Sequence, residues 1–327
     1  MKLFIKLSAL VLIATTLFSC KKTQKTLVMA EVNPPDSVVG QMDMYFANEV
    51  KRLTKGEITI ELNASSILGD ETSVVSEMFE SQNIDLARIS AFVLTSHSAE
   101  KSTILTIPYM FNDREHFWKF AKSEIASEIL LEPSRRENGV RGLYFAEEGF
   151  RHFFSTKPLN SIQDLKGQTI RTNGDPILNA VVEDLGAKSV QVPFYDVVKE
   201  MIIGSVDAAE QPIVNYKSNY FDSAAPNVIL DGHTIGVIEV IITNKAWSKL
   251  SNSQQSALLE AGANAAEFCR NICEDREKAV IDSLRATGVN IIEVSDKTPW
   301  QNACAETIRE QAQKDIELYN KIVEMGR

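Results

Sequence analysis

The chain has 327 residues, with 34 basic and 44 acidic side chains and a formal net charge of −10 at pH 7. So large an acidic excess argues against nucleic acid as a partner, since binding it needs a basic face. It also makes any anionic ligand depend on locally placed positive charge, while the length suits two domains of ordinary size.

The chain opens with Lys2 and Lys6, an apolar run from Leu7 to Phe18, and then Ser19-Cys20. A basic segment, a short apolar segment and a small residue at the cut read as a secretory signal over residues 1–19. The run is too short to span a bilayer, and no other run approaches the length needed. The stretch Leu17-Phe18-Ser19-Cys20 resembles a lipobox, with Phe18 departing from the small residue usual there. Cys20 is thus expected to be the acylated N-terminus of a protein tethered to the membrane by its lipid alone. Residues 20–26 read as the tether.

After the tether, LVMAEV is strand-like. Val38, Met42, Tyr45, Phe46, Val50 and Leu53 recur at helical spacing, with Gly56 placed to end that helix. EITIELN alternates as a half-covered strand does. Asp70 is a candidate N-cap for the next helix, and IDLARIS is the next strand. Strand, helix, strand, helix implies a parallel sheet. The pattern resumes after residue 150 with QTIRTN, a helix capped by Asp175 with Pro176 in its first turn and Gly186 after it, then KSVQV, YDVVKEMIIG and SVDAAE. GVIEVIITN is long enough to run between two sheets. Ser251 to about Arg285 forms one long helical pattern, VNIIEV a strand, and TPWQ to the end another helical stretch. With no sustained heptad, these long helices are expected to bridge two domains.

No P-loop, dinucleotide fingerprint, zinc-protease or nucleophile-elbow motif occurs, and no cofactor or metal is expected. The four histidines, His97, His116, His152 and His233, are scattered. Glu147 and Glu148 are adjacent, so on a strand they point to opposite faces and cannot flank one bond; a solvated acidic corner is the expectation. Cys269, Cys273 and Cys304 match no zinc spacing. They read as packed thiols, or as Cys304 paired with one of the others in an oxidising compartment.

Arg171 follows a strand and precedes a helix N-terminus, the position at which open α/β sheets bind ligands. Its planar fork matches a carboxylate. Arg151 begins RHFFS, a segment expected beside the same sheet. Glu77, Arg88, Phe194 and Glu239 are further candidates. The alternative for Glu77 is solvation and for Arg88 a salt bridge. For Phe194 the alternative is core packing, and for Glu239 a flip of strand parity.

Several spaced stretches, in order, resemble the DctP-like substrate-binding proteins of TRAP transporters over nearly the whole chain beyond the signal: LGDE, IDLARIS…LTIPYMFNDREH, DLKGQTIRTNG and VPFYDVVKEMIIGSVDAAEQP. The resemblance implies an α/β protein of two periplasmic-binding-protein-like lobes about a hinge cleft. By sequence, lobe I would take 27–148 and 237–275. Lobe II would take 149–236 and 276–327, with the C-terminal helices bridging. It further implies that Arg171 pairs with a substrate carboxylate, that Arg151 contributes, and that Gln211, where Asn is frequent, touches the ligand. Ile202-Ile203 stand where Gln is frequent, and Ala208 where Gly is. The expected role is capture of a small organic acid outside the cytoplasm, a sugar acid such as a uronate or else a C4-dicarboxylate, for delivery to TRAP membrane subunits, without catalysis. An ABC-type receptor and a secreted α/β hydrolase are the alternatives.

Overall fold

The computed structural model of the protein describes residues 24–94, 97 and 99–327. The signal and Cys20 lie outside them. The tether ends early, since the first strand, β1 (Lys25–Ala30), already includes residues assigned to it. Helix α1 (Val38–Leu53) starts where Ser37 accepts the Gly40 amide, and it stops at Thr54. Lys55 takes the left-handed turn expected of Gly56, which follows it with a positive φ of its own. β2 (Ile58–Asn63) pairs parallel to β1. Asp70 caps α2 (Glu71–Glu80) through the Ser73 amide at 2.8 Å, as its spacing predicts, and β3 (Leu86–Ser90) also pairs parallel to β1.

A strand whose extent the sequence reading did not give follows. β4 (Val140–Ser155) runs for 16 residues and contains both Glu147-Glu148 and Arg151. Beyond it, β5 (Thr169–Thr172), the Asp175-capped helix α3 (Pro176–Asp184), β6 (Lys188–Gln191) and β7 (Ala208–Pro212) form the expected parallel unit. β8 (Asn227–Thr243) is a single 17-residue strand that begins nine residues before GVIEVIITN. The described strands form one sheet in the order β2-β1-β3-β8-β4-β7-β5-β6, with β9 (Asn290–Glu293) on β8. The sheet is mixed, because β8 runs antiparallel to β3 and β4, and β4 antiparallel to β7.

β4 and β8 divide the molecule into two lobes while belonging to both. Val140–Glu147 pair with Val237–Thr243, beside β3. Phe150–Ser155 pair with Asn227–Ile235, beside β7 and β9. Between the two halves the register shifts, at Glu147/Phe150. Gly149 makes the shift with a φ of +89°, and a Cβ there would meet the Glu277 carboxylate at 2.0 Å. Glu277 instead accepts the Phe150 amide at 3.1 Å.

The 35-residue helix α4 (Asn252–Ala286) covers this junction from behind. At 1.5 Å per residue it is about 50 Å long, enough to cross both lobes. Its first half packs on α1, with Phe268 stacked on Tyr45, and its end leads into β9. The C-terminal stretch is not one helix but three, Thr298–Ala303, Ala305–Lys314 and Ile316–Glu324. Trp300 packs near Phe153, and the Ile322 carbonyl accepts from His116 at 2.7 Å. The chain thus returns from the second lobe to the first. Among the described residues no helix is long and apolar enough to cross a membrane.

Six side chains bear on the sequence reading. Glu147 and Glu148 do point to opposite faces, but neither is solvated: both are buried. Glu147 accepts from Arg114 and from the Trp118 indole at 2.6 Å, and Glu148 turns to the cleft. Cys269, Cys273 and Cys304 are buried free thiols. Glu239 is fully buried between β3 and β4, and among the described residues its hydrogen-bond partner is Ser102 Oγ at 3.3 Å. Burial pushes its carboxyl up to about 8, against the pull of Ser102 and with a push from Glu132.

The Glu239 carboxyl sets an expected pH dependence. Its folded value lies above the ordinary 4.5, so the fold keeps a proton that the unfolded chain releases. That stabilisation is complete below the unfolded value and is lost as pH rises through about 8. Glu239→Gln, which cannot ionise, should melt with the wild type at pH 5 and above it at pH 9 in thermal unfolding. Equal melting temperatures at pH 9 would rule this out.

Candidate ligand-binding site

Between the lobes, at the carboxyl ends of β1, β3 and β5, lies a cavity of about 410 Å³. Its walls come from both lobes. Asn33, the N-terminus of α2 and Ser90 contribute from one side, and Asn173, Gln191 and Phe194 from the other. The lobes touch beside it, where Asn219 Nδ2 donates to Asn33 Oδ1 at 3.0 Å. The volume is at the small end of the range for small-molecule pockets.

Of the sequence-predicted residues, Arg171, Arg151, Gln211, Arg88 and Phe194 all line this cavity. The three arginines are all buried, yet they differ in one respect. Arg88 is saturated by carboxylates: it forks onto Glu31, donates to Glu71 at 2.9 Å and faces Glu148 at 3.8 Å. Arg151 forks onto Glu210, with Nη2 to Oε1 at 2.8 Å, and donates to Glu148 at 3.1 Å. Arg171 makes no ion pair among the described residues. Its Nε donates to the Val192 carbonyl at 2.9 Å, and the Phe194 ring lies 5.9 Å from its guanidinium carbon.

Electrostatics follow these contacts. Burial would lower Arg151, but Glu210 and Glu148 hold it above the ordinary arginine value. Arg171 has no such partner, and burial pulls it down to about 10, with Arg151 adding to the drop and Glu210 opposing it. Burial alone would raise Glu210, yet Arg151 and His233 bring it below the usual carboxylate range. Burial lowers His233 less than Asp231 and Glu210 raise it, which leaves it at about 9. Arg151 is therefore the cavity end of a neutralised chain through Glu210 and His233 to Asp231, and Arg171 is a desolvated cation whose remaining donors are unclaimed.

Two predicted residues stand elsewhere. Glu77 lies almost two helical turns beyond Asp70, past the part of α2 that reaches the cavity, and accepts from Asn83 at 3.1 Å. Glu239 points into the layer behind the sheet, so the strand parity left open in the sequence falls away from the cleft. Phe194 both lines the cavity and packs edge-on against Phe221 at 5.7 Å. Residues that sequence reasoning missed include Asn33, Glu71, Ser90, Glu148 and Asn215. Asn33 and Ser90 sit just past or at the carboxyl ends of β1 and β3, a position that could have flagged them. Asn215 carried no such signal. Among the described residues no group of three or more His, Cys, Asp or Glu is placed to hold a metal.

Comparison with known proteins gives the family and the fold. The chain is 26% identical over 272 residues to the 2,3-diketo-L-gulonate-binding periplasmic protein YiaO of Escherichia coli, covering 83% of this chain and 82% of that protein. A TRAP periplasmic solute binding protein from Xanthobacter autotrophicus, solved with bound β-D-galacturonate, superposes with a TM-score of 0.86 at 25% identity, over 92% of this chain and 99% of that one. Another from Pseudomonas putida, solved with D-glucuronate, gives 0.87 at 23% identity, over 91% and 96%. The family profile of bacterial extracellular solute-binding proteins, family 7, matches residues 29–315, and the chain belongs to that family.

Proposed function

We propose that the protein is a periplasmic receptor that captures a sugar acid, a uronate foremost, and passes it to a TRAP-type membrane permease. The observation that carries this reading is the contrast between the arginines. A buried guanidinium without a counter-charge is costly to keep, and a ligand carboxylate supplies both the charge and the bidentate geometry that Arg171 lacks. Arg151, already neutralised, would support the same carboxylate as a hydrogen-bond donor. Gln211 would bond a second polar group, and Phe194 would wall the ring. The relatives solved with uronates favour this class of acid.

Binding without turnover suits a cleft that can close. A hinge at the lobe limits suggested by the sequence, 27–148 with 237–275 and 149–236 with 276–327, is supported by Gly149 and the β4–β8 register shift beside that boundary. A ligand touching both walls would favour the closed arrangement. We further propose that Cys20 anchors the protein by its lipid.

Calorimetry with D-glucuronate and D-galacturonate tests the anchor. Arg171→Lys keeps the charge and loses the fork, and should weaken binding by about 2–5 kcal/mol, roughly thirty- to several-thousand-fold. Wild-type affinity in a variant of unchanged ligand-free melting temperature would mean that Arg171 does not hold the carboxylate. For the lipid, fractionation should find the wild type with membranes and Cys20→Ser released or unprocessed. A wild-type protein wholly soluble after lysis, with an N-terminus beyond Cys20, would end that proposal.

A further inference from the structure

One wall of the cavity is built of acceptors. Glu71 receives Arg88 at 2.9 Å and the Ser90 amide at 3.1 Å. Glu148 receives Arg151 at 3.1 Å and faces Arg88 at 3.8 Å. The next link is Asn215, whose Nδ2 donates to Glu148 Oε2 at 2.7 Å. Because a carboxylate that already binds arginine can only accept, the amide must present its nitrogen there. Its Oδ1 is left over as an acceptor. Ser90 and Asn215 thus stand at the two ends of the chain Glu71–Arg88–Glu148, and both line the cavity.

Two oxygens in this wall are orphaned. Ser90 Oγ and Asn215 Oδ1 are buried and have no hydrogen-bond partner, in residues 6% and 2% exposed. Buried polar atoms are nearly always paired, so an unpaired pair beside a binding cavity points to a ligand group. What that group must be follows from the wall. Asn215 Oδ1 accepts and cannot donate, so it requires a donor. Glu71 and Glu148 would repel a second carboxylate, and neither Arg88 nor Arg151 has an uncompensated charge with which to hold one. An alcohol satisfies all three conditions.

We infer that Ser90 and Asn215 read hydroxyl groups of the ligand, and that this wall selects polyhydroxylated monocarboxylates over C4-dicarboxylates. The inference rests on the sugar-acid reading above and names the residues that would give it specificity. Arg171 would take the one carboxylate, and the acceptor wall would take the hydroxyls. Ser90→Ala is an informative probe, because the hydroxyl it removes has no partner in the protein. Its loss should leave the ligand-free melting temperature unchanged or raised. Asn215→Ala is less clean, since it also strips a donor from Glu148.

The experiment is calorimetry of wild type, Ser90→Ala and Asn215→Ala against D-glucuronate, D-galacturonate, succinate and cyclohexanecarboxylate, a ring acid without hydroxyls. The wild type should prefer a uronate to both other acids. Each variant should lose about ten- to a hundredfold in uronate affinity, with much less change for cyclohexanecarboxylate. Wild-type uronate affinity in Ser90→Ala overturns the role of Ser90, and in both variants the whole assignment, while the receptor reading stands. Succinate bound by the wild type as tightly as a uronate also overturns the assignment. A wild type that binds neither uronate overturns the sugar-acid reading and this inference with it.

Discussion

The antiparallel pairing of β4 with β8 is the constraint on which the rest of the molecule depends. Each strand serves both lobes, so the two parallel units, β2-β1-β3 and β7-β5-β6, are joined by continuous backbone hydrogen bonding rather than by a loose linker. The shift at Glu147/Phe150, made by Gly149 in the left-handed region, interrupts that ladder between the lobes. It also explains the long helix behind the sheet. Glu277 on that helix satisfies the Phe150 amide that the shift releases from its ladder.

The same pairing brings the charged side chains of the cleft together. Arg151 on β4 meets Glu210 on β7 because these strands are neighbours, and Glu148 on β4 faces Arg88 on β3 across β8. Buried charges are tolerated only in such pairs. The result is a cavity wall in which positive and negative groups cancel almost everywhere. Against that background a guanidinium on β5 with no ion pair among the described residues is chemically conspicuous. In an acidic protein an anion needs a local reason to bind, and for the proposed ligand that reason is burial. Arg171 has been taken from water without being given a carboxylate in return.

Local structure was largely legible in the sequence. Asp70 and Asp175 cap the helices their spacing indicates, and the short strands of both parallel units lie where alternation puts them. The extent of β4 was not legible, because a strand buried on both faces shows no alternation, and this one also carries a glycine and two glutamates at its centre. The break of the C-terminal helical stretch at Cys304 was equally hidden, since Cys is not a residue that ends helices, whereas Asp315 caps the last helix through the Leu318 amide and did carry a local signal.

Motif and position by themselves determined that Arg171 stands at the carboxyl end of a parallel strand before a capped helix, which is a property of neighbouring residues. Which arginine is free was decided only by the tertiary structure. Arg88 and Arg151 are neutralised by Glu31 and Glu210, which lie 57 and 59 positions away. Nothing in the local sequence of any of the three arginines distinguishes it as paired or unpaired. The same holds for Glu77 and Glu239, which sit in the right segments but face away from the cavity, and for Asn215, which is turned by a carboxylate 67 positions distant. A chain can encode which elements form through near neighbours. The charge state and hydrogen-bond balance of a buried site are sums over distant ones, and they exist only once the lobes have assembled around it.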